Sequence, residues 1–349
     1  MRLAMTVMVR DEADVIEAMV RHHLAQGVDV MLITDNGSQD GTRDILQGLA
    51  TEDSRILVED DPVHRKQQGE TVTRMAREAA VHHGADWVIN ADADEFWLPQ
   101  NASTVRESFE RFDPAWGAFE VPVRDMIGAP AFAGSGFTRL RWQDHRPLEQ
   151  LRRSGLFAHS SNDAVHVADP DVVVVQGNHA VSIPSAGHPE PGTGVEVLHL
   201  QWRSWTQFRR KVENAGRAYE ANPVLNPSPN HHGMRDYRML KAGTLLASYL
   251  LRHPGLDELQ AGLDAGAFVA EDRIVDLERY GVADVPFNDT EALDSLREHD
   301  RETVDEIARL REEVSTRELE IAALRNRRAV RLADRARTLM SRESAKPVD

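Results

Sequence analysis

The first hundred residues alternate short apolar runs with segments of helical period, which restricts the chain to an α/β fold built on a mostly parallel sheet. Leu3–Val9 reads as the first strand, with no signal-peptide cleavage pattern after it. A helix follows, placing Ile16, Met19, Val20, His23 and Leu24 on one face, with Gly27 as its stop. Residues 30–34 read as the second strand and Ile45, Leu46 and Leu49 mark the next helix. Residues 55–59 give a third strand, and Val72, Met75, Ala76, Ala79 and Ala80 a third helix ending at Gly84. Trp87–Ala91 is the fourth strand.

Two of these strands run into acidic segments. The second is followed by Asp35-Asn36-Gly37-Ser38-Gln39-Asp40-Gly41-Thr42, the fourth by Asp92-Ala93-Asp94-Glu95-Phe96-Trp97. Parallel sheets bind ligands beyond the carboxyl ends of their strands, so these carboxylates should converge on one crevice. Asp92 and Asp94 are one residue apart and in extended geometry would leave the same face. Such a pair can hold Mg²⁺ or Mn²⁺ against a diphosphate, because both ions prefer oxygen ligands and keep room for phosphate and water. Aspartates after strands also form turns and cap helices, and Asp40 fits that role for the helix that follows it.

The segment Val9-Arg10-Asp11-Glu12-Ala13, the Asp35 to Thr42 segment and the strand ending in Asp92-Ala93-Asp94-Glu95-Phe96 together resemble the GT-A domain of family 2 glycosyltransferases, and in particular a bacterial subgroup whose metal motif ends in Asp-Glu-Phe. The likeness covers residues 1–100 firmly and 100–220 loosely. It implies that Asp35 contacts the nucleotide base or ribose, with Asn36 standing where members often carry a second aspartate. Arg10 and Glu12 would border the nucleotide, and Asp92 and Asp94 would hold Mn²⁺ or Mg²⁺, Asp94 directly. Arg74 or Arg77 would help neutralise the diphosphate, although both also read as a solvated helix face.

Inverting transfer needs a base for the acceptor hydroxyl. Asp125, Asp144 and Asp163 are eligible, and Asp144 is preferred for its aromatic and basic neighbours Trp142, Arg141 and His145. His179 follows the valine run 172–175, and His199 ends the run 195–198. In the resembling subgroup a histidine precedes a helix of pattern Ser-x-x-x-Phe-x-x-Lys, which Ser204, Phe208 and Lys211 fit. His199 would then be a third metal ligand, Lys211 a phosphate contact and His179 an acceptor-side group; the competing reading is a histidine hydrogen-bonded at a sheet edge. The pairs His22-His23, His82-His83 and His231-His232 read as structural.

At 349 residues and 41% hydrophobic content, the chain can bury a core for one large domain plus an extension. With no cysteine, disulfides and thiolate metal sites are excluded. No run approaches the roughly 20 apolar residues that span a bilayer. The organisation expected is a GT-A domain over 1–220, a helical segment or acceptor-side lid over 221–290, a coiled coil or solvated helix over 291–324, and a basic amphipathic tail over 325–349. The heptads run through Leu293, Leu296, Ile307, Leu310, Val314, Ile321 and Leu324, and would pair two chains. The formal net charge of −16 conceals a tail with eight Lys/Arg against three Asp/Glu, so nucleic acid is an unsuitable partner for the acidic body.

The function expected is metal-dependent, inverting transfer from a nucleoside diphosphate sugar to a glycan or lipid-linked acceptor, in the cytoplasm or peripherally on the inner face of the plasma membrane. A non-catalytic sugar- or nucleotide-binding scaffold of an envelope complex is the alternative. Aspartyl-phosphate phosphatases are disfavoured because Phe96 stands where they carry Thr or Val. Nucleotidylyltransferases are disfavoured because the loop after the first strand is not glycine-rich. Vesicle co-sedimentation checks the tail: full-length protein should pellet with anionic vesicles at low salt and be released at high salt. Truncation after Leu324 should abolish pelleting.

Overall fold

The computed structural model describes residues 1–63, 67–221, 232–288, 293–298, 301–307, 309–310, 313–314 and 316–323. The chain divides into two units, Met1–Arg297 and Glu298–Asp349. The first opens with β1 (Leu3–Val9), α1 (Ile16–Ala25), β2 (Val30–Asp35), α2 (Thr42–Glu52), β3 (Ile56–Asp60), α3 (Gln68–Val81) and β4 (Trp87–Ala91), the expected alternation. It continues with β5 (Glu95–Pro99), α4 (Val105–Phe109), β6 (Ala118–Val121), β7 (Val123–Ile127), β8 (Trp142–Asp144), α5 (Leu148–Arg153), β9 (Asp163–Val167) and β10 (Val195–His199). Then come α6 (Trp205–Glu220), α7 (His232–Ala242), α8 (Leu245–Arg252), α9 (Leu256–Asp264) and β11 (Phe268–Ala270).

A six-stranded sheet has the order β3-β2-β1-β4-β9-β6. Its first four strands are parallel, while β9 and β6 run antiparallel to their neighbours. Both faces of the parallel part are covered, which is why its strands read as unbroken apolar runs. Met5, Val7, Met31, Ile33, Trp87 and Ile89 enter the core on one side with α1 and Leu46 of α2. Ala4, Val30, Leu32 and Val88 enter the other with Val72, Met75, Ala76 and Ala79 of α3. The polar exceptions are paired: Thr6 Oγ1 donates to Asn90 Oδ1 at 2.7 Å, directly across the β1–β4 register.

β2 and β3 lie on one side of β1 and β4 on the other, so the strand order reverses between β1 and β4. In an open parallel sheet that reversal splays the following loops apart and leaves a crevice at the strands' carboxyl ends. Gly37 and Gly41, with φ of +68° and +98°, let the chain turn from β2 into α2 beside this crevice.

A second sheet, β11-β8-β7-β10-β5, joins the motif strand to the later segments. The lid expected over 221–290 is not formed by the described residues there. Tyr237, Leu245, Tyr249, Leu250 and Phe268 are buried with Phe208 and Val212 of α6 in a core of their own, and β11 extends the second sheet by pairing with β8. Apolar burial holds these elements in the body as structural wall. The Pro/Asn loop at 222–231 lies outside the described residues. No helix among the described residues is long and apolar enough to cross a membrane.

In the second unit, residues 301–307 and 316–323 are helical, and the heptad positions Ile307, Leu310, Val314 and Ile321 are exposed. The expected tail over 325–349 lies wholly outside the described residues.

His22 and His23 are structural, as the sequence suggested. His22 Nε2 donates to Trp97 O at 2.8 Å, and His23 Nε2 accepts from Trp97 N at 3.1 Å. Burial pushes the His22 imidazole down to about 4 and holds His23 well below its ordinary value. Both rings fold neutral, so above pH 6.5 their titration costs nothing; as pH falls from 6.5 towards 4 the unfolded chain takes up protons that the folded one refuses. His22→Gln keeps a donor for Trp97 O and removes this titration. Chemical denaturation should show the wild type losing stability relative to that variant by up to about 1.4 kcal/mol per pH unit across that interval.

Candidate active site

The crevice between β1 and β4 is an open cleft. Its lining includes Arg10 and Glu12 from the loop after β1, Asn36 from the end of β2, Gln67 and Gln68 at the start of α3, and Asp92 and Asp94 after β4. The opposite wall is one face of α6, formed by Lys211, Asn214, Ala215 and Ala218. The pattern Ser-x-x-x-Phe-x-x-Lys divides by role. Ser204 caps α6 by accepting from Gln207 N, Phe208 anchors it by stacking on Tyr249, and Lys211 reaches the cleft.

Asp92-Ala93-Asp94 is a turn between β4 and β5, so the two carboxylates do not leave a shared strand face as the extended reading expected. They meet the same cleft because the turn wraps it. Asp92 Oδ1 accepts from Gln68 Nε2 at 2.7 Å and Asn178 Nδ2 at 3.2 Å. Asp94, 1% exposed, is enclosed by cations: its Oδ2 lies 2.5 Å from Lys211 Nζ, 3.4 Å from Arg203 Nη1 and 3.6 Å from His199 Nε2. Burial alone would protonate it, but Lys211, His199 and Arg203 hold it well below the usual carboxylate range. Asp92 is pushed up by burial and by Asp94.

The cations are held in turn by other carboxylates. Arg203, fully buried, donates from Nε to Asp14 Oδ2 at 2.9 Å, from Nη1 to Leu200 O and from Nη2 to Glu12. His199 ends β10, where sequence placed it, with Nδ1 3.4 Å from Asp125 Oδ1 and 3.1 Å from Ser160 Oγ. Burial opposes its charge, yet Asp94 and Asp125 keep it protonated, well above the ordinary imidazole value. Glu12 is raised to about 7, chiefly by burial and against the pull of Arg203. Glu95 is pushed well above its ordinary value by burial beside Asp163 and Asp92 and accepts from Asp92 N at 2.9 Å, bracing the turn.

Arg10 lines the cleft and donates from Nη1 to Asn36 O, tying the first loop to the second. Asp35 is 2% exposed and accepts from Ser38 N at 3.2 Å, supporting the turn, while its neighbour Asn36 meets the cleft. His179 is exposed and does not line the cleft; its Nδ1 lies 3.2 Å from Asp163 Oδ1, which raises it.

Three expected site residues lie elsewhere. Asp144 is locked in a buried pair with Arg146, which donates to both its oxygens, and the same guanidinium holds Ser154 Oγ; the aromatic and basic setting that favoured it is a structural one. Arg74 pairs with Glu59 and Glu78 on the surface. Arg77 donates to Val172 O and Asp171 O, pinning the segment behind α3. Sequence reading missed Arg203, Asp14 and Asn214. Asn214 had a signal, since it lies three residues after Lys211 on the same helix face.

Among known proteins, the family model described as glycosyl transferase family 2 matches residues 6–147. The succinoglycan biosynthesis protein ExoA of Rhizobium meliloti (strain 1021) is 43% identical over 63 residues, 18% of this chain and 18% of that protein, so the match spans about a fifth of the relative's length. A structure of a mannosyltransferase from Pyrobaculum calidifontis, in complex with GDP-Man and Mn²⁺, aligns over 80% of this chain and 84% of its own at 15% identity and a TM-score of 0.34. A UDP-glucose pyrophosphorylase complexed with UDP-glucose aligns over 76% and 100% at 9% identity and a TM-score of 0.26. Residues 6–147, the part of the chain that resembles glycosyl transferase family 2, supply β1 through β8 and the acidic turn of the cleft.

Proposed function

We propose that this protein is a family 2 glycosyltransferase that moves a sugar from a nucleoside diphosphate sugar to a hydroxyl of a glycan or lipid-linked acceptor, by direct displacement with inversion at the anomeric carbon. The observation that carries the reading is the cleft itself. At the strand-order reversal, Asp92 and Asp94 line one open cleft together with Lys211. Arg10, Glu12 and Asn36 border the nucleotide, and Asp35 serves them by holding their turn. Lys211 offers its ammonium to the diphosphate.

The oxygen donors suit a divalent ion of the Mn²⁺ or Mg²⁺ kind, which Asp92 and Asp94 would hold, with His199 available as a nitrogen ligand only in its form deprotonated at Nε2. Its Nδ1 already faces Asp125, the outer-shell arrangement that orients ligating histidines. Among the described residues no group of three His, Asp or Glu side chains is arranged to hold a metal ion, so phosphate oxygens would have to complete its coordination. Such an ion would offset the charge on the departing diphosphate. On the acceptor side, Asp163 orients His179 through Nδ1, leaving Nε2 to take the acceptor proton.

Asp94→Asn should reduce donor turnover by about 100-fold or more and abolish Mn²⁺ dependence in a panel of UDP, GDP, dTDP and CDP sugars assayed with and without chelator. The same variant should lose on the order of 3 kcal/mol of stability, since it strips a buried charge from its partners. Arg74→Ala and Arg77→Ala should leave donor affinity unchanged in calorimetry; weakened binding in either would move the diphosphate site towards α3. His179→Gln should lower kcat by about 10² while the KM for donor stays constant, and equal loss in donor affinity would remove the acceptor-side role.

A further inference from the structure

Asp94 sits at the bottom of the cleft with its outward oxygen already covered. Its side chain is 2% exposed, and Lys211 Nζ lies 2.5 Å from Oδ2 with 39% of the lysine side chain open to the cleft. An ion arriving from solvent therefore meets an ammonium group before it meets the carboxylate. Two more cations, Arg203 and His199, stand behind the same oxygen.

The three cations differ in freedom. Arg203 is fixed by Glu12, Asp14 and Leu200 O as well as Asp94, and His199 is fixed by Asp125 and Ser160. Lys211 has Asp94 as its one hydrogen-bond partner among the described residues. It is borne on the cleft face of α6, where its neighbours along the wall, Ala215 and Ala218, leave space for a flexible side chain to turn. A lysine ammonium on four rotatable carbons can exchange one oxyanion for another without any backbone movement.

We propose that Lys211 is a charge gate: it closes Asp94 to a bare divalent cation and opens when a diphosphate enters, because its ammonium then transfers from the carboxylate to phosphate oxygen. The protein thereby takes up metal and donor together. A free cation faces repulsion from three positive groups and finds too few protein ligands. A cation accompanied by diphosphate brings the missing oxygens and the negative charge that draws Lys211 away. The reading rests on the proposed role of Asp94 as the metal ligand. It differs from a simple phosphate-contact role in sign: a lysine that only contacts phosphate has no effect on metal alone, whereas a gate opposes it.

The test is Mn²⁺ titration of the full chain with Mn²⁺ alone and with Mn²⁺ plus inorganic pyrophosphate, protein-bound Mn²⁺ being measured by equilibrium dialysis so that the soluble Mn²⁺–pyrophosphate complex is not counted as bound. Wild type should bind Mn²⁺ alone roughly tenfold or more weakly than with pyrophosphate. Lys211→Met, which keeps the chain's bulk and removes its charge, should bind Mn²⁺ alone roughly tenfold more tightly than wild type and lose most of the pyrophosphate enhancement. Lys211→Gln is read in the same way should the methionine variant fail to fold. Equal or weaker binding of Mn²⁺ alone by the folded variant overturns the gate. Asp94→Asn separates the two readings: if Mn²⁺ binding survives in that variant, the metal assignment fails, and if it is lost while Lys211→Met shows no gain, only the gate fails.

Discussion

The cleft is organised around one buried carboxylate. Asp94 can be ionised at 1% exposure only because Lys211, Arg203 and His199 surround it, and each of those cations imposes a demand on a different part of the chain. Arg203 requires Glu12 and Asp14 from the loop after β1. His199 requires Asp125 at β7, and Lys211 requires the cap and anchor that set the pitch of α6. One oxygen atom thus ties the first loop, the acidic turn, the second sheet and the helical wall into a single electrostatic unit. Removing any member leaves an unmatched charge in a poorly solvated place.

That unit also explains the division of labour in the acidic motif. Asp94 is strongly ionised, Asp92 is raised beside it, and Glu95 is held neutral by burial against Asp163 and Asp92. Three neighbouring carboxyl groups cannot all carry charge at such spacing, so their environments push them apart. The neutral member stays behind as a brace.

The sheet was legible in the sequence because two-sided burial writes itself as uninterrupted apolar runs: β1 and β4 have the bounds read from residue type alone, and β2 and β3 differ only at their ends. The strand-end rule then located Asp92, Asp94 and His199, and the family resemblance Arg10 and Glu12, all of which reach the charge cluster or the cleft it borders. Long-range ion pairing was not legible. Arg203 finds Glu12 and Asp14 across some 190 positions of chain, and no local pattern announces a partner so remote. Asp144 misled for the opposite reason. Its partner Arg146 is two residues away, and a basic neighbour that suggests a sugar pocket in sequence is, in the fold, the counter-ion that consumes the carboxylate.

The buried Thr6–Asn90 pair has a consequence for the whole cleft. In strands flanked on both sides by interchangeable aliphatic residues, side-chain packing discriminates weakly between alignments displaced by two positions, because the pleat parity is preserved. A displacement of β4 against β1 by that step would set Asn90 against Ala4 or Met8 in place of Thr6 and carry the acidic turn roughly 7 Å along the sheet. Asp94 would then lose contact with the guanidinium fixed by the β1 loop. A single hydroxyl-to-amide bond in the middle of the core acts as the vernier that sets where, several residues further on, the carboxylates come to rest.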